Sequence, residues 1–175
     1  LRDMSMPQAG DLAPEVALPD EHGTVHRLAD RLGSWTVLYF YPKDDTPGCT
    51  TEACGFRDAD LALVAAGATV WGISPDDAAS HARFRAKFGL AFPLLVDADH
   101  AVAESYGAWV EKVNYGRTYM GVQRSTFLVA PDGRIAHAWP KVKAEGHAAD
   151  VLRTLDAARA GAAVVHIHVR DPETG

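Results

Sequence analysis

The stretch that most limits how this chain can fold is Thr36 to Leu63, where three local patterns follow one another without a gap. Thr36-Val37-Leu38-Tyr39-Phe40-Tyr41 is a continuous aliphatic and aromatic run, which predicts a buried strand. Pro42 to Gly48 is rich in turn residues and predicts a loop. From Thr50 onward, Ala53, Phe56, Ala59 and Leu63 recur at spacings of three and four, the pattern of an amphipathic helix lying on a sheet. The chain has only two cysteines, Cys49 and Cys54, and this strand-loop-helix unit sets Cys49 at the loop-to-helix junction.

A cysteine in the first turn of a helix meets unpaired backbone N–H groups and the positive end of the helix dipole, both of which favour thiolate over thiol. Cys54 follows five residues later. On a continuous helix that step separates the two Cα atoms by roughly 8 to 9 Å, whereas a disulfide needs less than about 7 Å. A bond between them therefore requires the first turns to unwind. Gly55 eases this, since glycine inside a helix costs about 1 kcal/mol relative to alanine.

The remaining chain alternates short strands with helices. Val16–Leu18 and Thr24–Arg27 flank a Glu21-His22-Gly23 turn and read as an N-terminal hairpin. Thr69–Ile73 is a short strand, and Ser74-Pro75-Asp76-Asp77 opens a helix carrying His81, Phe84, Arg85 and Phe88 on one side before Gly89 closes it. A strand at Pro93–Val96, a helix over about 99–106, and a hairpin of Ser125–Val129 with Arg134–Ala138 follow. A last helix spans His147 to Ala160, with Gly161 as its stop. Such alternation predicts an α/β sheet with parallel pairs. The segment Glu111 to Arg117 reads as a loop, and Ala162–Arg170 alternates like a strand.

The 175 residues, 47% of them hydrophobic, suit one domain. With 17 basic against 23 acidic residues the net charge is -6, and no run of either sign suggests a nucleic-acid or anionic membrane surface. The N-terminus has no apolar core like that of a signal peptide, and no segment is apolar for long enough to span a bilayer, so the expected location is cytoplasmic. The first residue is leucine, and Met4 and Met6 offer natural starts. Two cysteines so close in sequence suit a redox pair rather than a structural staple.

Pro42, Thr46 and Cys49 fall on the P-x-x-x-T-x-x-C pattern of peroxiredoxins. The block TPGCTTEAC resembles the bacterioferritin comigratory protein (BCP/PrxQ) subfamily. GDLAP (10–14), VWGISPD (70–76), FPLLVD (92–97), YGAW (106–109), YMGVQRSTFL (119–128) and PDGRI (131–135) resemble the same family in the same order. The resemblance implies a thioredoxin-like α/β fold over residues 1–161, with a central mixed sheet flanked by helices and an N-terminal β-hairpin, followed by a C-terminal extension at 162–175. It also implies a thiol-dependent peroxidase acting on hydrogen peroxide or organic hydroperoxides. Cys49 would be the attacking thiolate and Cys54 the resolving cysteine that forms an intramolecular disulfide, reduced by thioredoxin or a glutaredoxin-like donor. Thr46, Arg124 and the N–H groups of Gly48 and Cys49 would hold the peroxide, and Pro42 would shield the thiolate. No metal or organic cofactor is implied, and the protein is expected as a monomer or weak homodimer.

Other readings compete for several of these residues. Cys49 alone could be a small buried hydrophobe, Thr46 a cap hydroxyl and Arg124 a surface charge. Glu52, Arg57 and Asp58 read as solvated helix charges, and His22, His26, His81, His100, His137 and His147 as surface residues. Phe40, Tyr41 and Trp109 are candidates to line the substrate approach. The whole chain could instead be a thiol redox sensor or disulfide oxidoreductase, although it lacks C-x-x-C. A metal-binding module using the cysteines with His166 and His168 is a further alternative. The tail from about residue 156 is also similar to a segment of β-keto acid cleavage enzymes, whose His-x-His pair binds metal, but twenty residues cannot build their barrel.

Overall fold

The computed structural model describes residues 6–169, with the side chains of residues 6–161. The apolar run becomes β3 (Trp35–Phe40), the middle strand of a five-stranded sheet. On one side β3 pairs in parallel with β4 (Ala68–Ser74), which pairs in parallel with β5 (Leu94–Val96). On the other side it pairs antiparallel with β8 (Ser125–Val129), itself paired with β9 (Ile135–Trp139). The sheet is therefore mixed, as expected.

Because side chains alternate across a strand, β3 feeds two cores. Val37 and Tyr39, with Tyr41 beyond the strand end, pack with Cys49, Ala53, Phe56 and Leu63 of α1 (Pro47–Ala65), and with Val151 and Leu155 of α4 (His147–Val169). Leu38 and Phe40 face the other layer, with Trp71, Leu95, Tyr106 and Phe127. Tyr39 and Phe56 stack with centroids 4.8 Å apart. Each such fully buried aromatic contributes on the order of 2 to 3 kcal/mol. The N-terminal hairpin, β1 (Ala17–Pro19) with β2 (Val25–Arg27), forms as predicted.

The second helix, α2 (Ala78–Phe88), is capped by Asp77, whose side chain accepts the Ser80 N–H, and closed by Gly89 in the left-handed conformation. The helix expected over 99–106 is shortened to α3 (Ala101–Ser105), because His100 ahead of it adopts φ 51°.

Two expectations fail. Glu111 to Arg117 is not a loop but the heart of a hairpin, β6 (Trp109–Asn114) with β7 (Arg117–Val122). Its two-residue turn, Tyr115-Gly116, has positive φ at both positions, the geometry of a tight hairpin turn without the usual Asn-Gly signature. Nor does the last helix stop at Gly161 to leave a strand at 162–170, since α4 continues to Val169. An existing helix gains one hydrogen bond per added residue, while a strand needs a partner edge. The side chains of His166 and His168 lie outside the described residues. Among the described residues no helix is long and apolar enough to cross a membrane.

Candidate active site

Cys49 lies in the first turn of α1, with Thr46 at the N-cap and Pro47 at the first helical position, where its missing N–H costs nothing. The first intrahelical bond runs from the Thr50 N–H to the Thr46 carbonyl at 2.8 Å, so the N–H groups of Gly48 and Cys49 precede the ladder. The Thr46 side chain makes no cap bond, and its hydroxyl donates to the Lys43 carbonyl at 2.9 Å. Cys49 is 1% exposed. Cys49 and Cys54 are both free thiols on this unbroken helix, and Cys54 is partly exposed.

Arg124 reaches the site from the residue before β8. Its Nη2 donates to Cys49 Sγ at 3.3 Å, and its Nη1 donates to Glu52 Oε1 at 2.6 Å. The surface reading of Arg124 is thereby replaced by a half-buried guanidinium facing the thiol. Glu52 is not a solvated helix charge either. It sits one turn after Cys49 on the same helix face and is 1% exposed. Burial, opposed by the Arg124 charge and hydrogen bond, raises its pKa to about 7. Burial alone would lower the pKa of Arg124, but Glu52 and Cys49 beside it raise it overall, so the guanidinium stays charged. Pro42 is partly buried at the mouth of the loop.

The aromatic candidates divide. Tyr41 shares the Cys49 core and donates its hydroxyl to Asp44 at 2.5 Å, whereas Phe40 packs on the opposite layer, away from the thiol. Trp109 is stacked on His100, with centroids 3.8 Å apart. Two histidines expected at the surface are buried. His147 bonds Thr126 Oγ1 at 2.8 Å, and burial lowers its pKa to about 4. His81 bonds Asp44 at 2.7 Å. The signals that could have found Glu52 and His81 are their spacings, three residues from Cys49 and three from the core residue Phe84. Asp44, Asp76 and His81 bring their ligand atoms within 4.8 Å of one another, but these atoms are already engaged in internal hydrogen bonds.

A charged donor beside a thiol at a helix N-terminus can bind an anion or polarise an O–O bond. Residues 9–138 match the AhpC/TSA family. The chain is 47% identical over 148 residues to Peroxiredoxin Bcp of Bacillus subtilis, covering 85% of this chain and 94% of that protein. It is 45% identical over 148 residues to Peroxiredoxin Bcp of Escherichia coli K12, covering 85% of this chain and 95% of the other. The bacterioferritin comigratory protein structure from Xanthomonas campestris superposes with a TM-score of 0.79 at 41% identity, covering 89% of this chain and 98% of that one. A chain this similar over almost the full length of those proteins belongs to the AhpC/TSA family, in the Bcp/PrxQ branch of peroxiredoxins, and is a thiol peroxidase of thioredoxin-like fold.

Proposed function

We propose that the chain reduces hydrogen peroxide and organic hydroperoxides through a sulfenic acid on Cys49 and an intramolecular Cys49–Cys54 disulfide. The observation that carries this reading is the two-armed contact of Arg124, which is held by Glu52 on one side and aimed at Cys49 Sγ on the other. The alkyl peroxide reduction activity of the Xanthomonas protein supports the organic substrates.

In this reading the Cys49 thiolate attacks the terminal oxygen of ROOH. The S–O bond forms as the O–O bond breaks, and the departing alkoxide or hydroxide takes a proton to leave as ROH or water. Arg124, the Thr46 hydroxyl and the N–H groups of Gly48 and Cys49 hold the two oxygens and stabilise the charge on the leaving one, while Pro42 shields the thiolate. The first turns of α1 then unwind. The Cys54 thiolate attacks the sulfenic sulfur as the S–O bond breaks, forming the disulfide and expelling hydroxide, which takes a proton from solvent to leave as water. Thioredoxin or a glutaredoxin-like dithiol restores both thiols, with the enzyme working in the cytoplasm as a monomer or weak homodimer.

The test is one equivalent of hydrogen peroxide added to reduced protein, with disulfides mapped by peptide mass spectrometry, repeated with Cys54→Ser. A Cys49–Cys54 disulfide in the parent and a sulfenic acid at Cys49 in the variant are expected. Absent oxidation of Cys49 would overturn the reading and favour a thiol sensor acting on another oxidant.

A further inference from the structure

Outside the peroxide site, the described structure holds one fully enclosed charged pair. His81 of α2 is 0% exposed, with Nδ1 2.7 Å from Asp44 Oδ2 and Nε2 2.9 Å from the Leu95 carbonyl of β5. Both partners are hydrogen-bond acceptors, and an imidazole with one N–H can satisfy only one of them. Asp44 also accepts the Tyr41 hydroxyl on Oδ1 and the Ser80 hydroxyl on Oδ2. Three donors converge on this carboxylate, so the ring carries both protons and Asp44 the negative charge. The backbone of the same residue is fixed too, its N–H donating to Asp76 Oδ2 at 2.8 Å.

The next two residues connect this pair to the thiol. Asp45 adopts φ 58°, a left-handed conformation that a non-glycine residue keeps only where its surroundings dictate it. Its carboxylate meets Lys87 Nζ of α2 at 2.8 Å. Thr46, the N-cap of α1, follows directly. Helix α2 thus grips two successive residues of the loop that delivers Thr46 and Cys49.

We propose that His81, through its buried ion pair with Asp44, is a positioning residue for the peroxide site: it clamps the loop ahead of α1 in the geometry that presents Thr46 and Cys49, and it marks where unwinding of α1 must stop. This rests on the peroxidase reading above. During disulfide formation Thr46 to Gly55 would rearrange while Pro42 to Asp44 stay tied to α2 and β5. Removing one partner of a buried pair leaves an uncompensated charge, so the effect should spread into the loop.

The experiment compares the parent with His81→Leu and Asp44→Asn by two measurements. Amide hydrogen exchange of residues 43–50 in the reduced protein needs no peroxide, and there His81→Leu should speed exchange about tenfold or more, with residues 58–65 of α1 unchanged. Oxidation of Cys49 by hydrogen peroxide should slow about tenfold, with alkylation by iodoacetamide altered less than about threefold, since positioning serves the peroxide and not the bare thiol. Unchanged exchange, or equal slowing of both reactions, would overturn the proposal.

Should His81→Leu fail to fold, Asp44→Asn decides. The carboxamide that this substitution introduces can accept from Tyr41 and donate to a neutral His81, so the same contacts form without charge. Other groups facing the pair are Tyr41 just beyond β3, Ser80 from the first turn of α2 and Asp76 from the turn before that helix, while β5 contributes the Leu95 carbonyl. Asp44 raises the pKa of His81 against the opposing effect of burial. Loop protection and peroxide rate in the parent should therefore fall together at alkaline pH as the ring loses its second proton, and Asp44→Asn should lack that common step. An identical alkaline step in both proteins refutes the clamp. If the parent proves inert to peroxide, the peroxidase reading falls, and the exchange data still judge the clamp.

Discussion

Gly48 faces Arg124 so closely that a β-carbon on it would lie 3.0 Å from Nη2. The guanidinium occupies space that any other residue at this position would claim, and that space sets its approach to Cys49. Gly48→Ala should push Nη2 away from the thiol while improving local helix propensity by up to about 1 kcal/mol. The expected result is peroxide reduction slowed about tenfold or more, with the urea midpoint equal or higher. Stopped-flow oxidation and urea melts on the same variant check both halves, and full activity would show that the guanidinium has slack.

Glu52 makes stability depend on pH in an unusual direction. Its carboxyl is raised from 4.5 to about 7 by burial, so as pH climbs through that window the unfolded chain releases the proton before the folded one does. Folding therefore loses stability between about pH 4.5 and 7, on the order of 3 kcal/mol at most from this group. Glu52→Gln removes that loss. The stability of Glu52→Gln relative to the parent should rise steadily across the window in urea titrations, and a constant difference would contradict the shift.

His147 works in the opposite sense. Burial holds its pKa near 4 instead of 6.5, so as pH falls through that range the unfolded chain takes up a proton that the folded chain refuses. Stability is lost on acidification, again by up to about 3 kcal/mol. Between about pH 4.5 and 6.5 the two groups therefore act in opposite directions. His147→Asn should be less stable than the parent at pH 7 by a margin that shrinks as pH falls toward 4, measured by thermal melts across the series.

Gly72 packs against Tyr39 across neighbouring strands, and a β-carbon there would meet the Tyr39 ring and hydroxyl and Leu94 Cδ2 at 2.8 Å. Gly72→Ala should cost about 1 to 3 kcal/mol by overpacking. The Tyr39 hydroxyl is buried with no hydrogen-bond partner among the described residues. Tyr39→Phe alone should therefore be neutral or stabilising, and should recover part of the Gly72→Ala loss in a double-mutant cycle.

Much of this architecture was legible in local pattern. The unbroken run from Thr36 to Tyr41 announced a buried strand, and the spacing of Ala53, Phe56 and Leu63 announced the face of α1. What escaped were residues whose environment comes from far along the chain. Glu52 looks like any surface glutamate until Arg124, 72 positions away, arrives to neutralise it. His81 looks solvated until Asp44 and Leu95 close around it. The β6–β7 hairpin was hidden because Tyr115 stands where a turn of this type usually carries asparagine. The extension of α4 past Gly161 was hidden because a short alternating segment does not by itself distinguish helix from strand.

Phe40 pairs with Ser125 across β3 and β8. That register brings the residue before β8 beside the loop leaving β3, whatever the length of chain between them. Insertions in α3 or the turn at Tyr115-Gly116 should therefore leave the spacing of Arg124 and Cys49 untouched, whereas insertions in α2 would disturb its hold on Asp44 and Asp45. A single residue inserted between Val122 and Ser125 would instead rotate the guanidinium away from the thiol with the fold intact. The reactive geometry is thus a property of strand alignment and carries over to any loop length that preserves it.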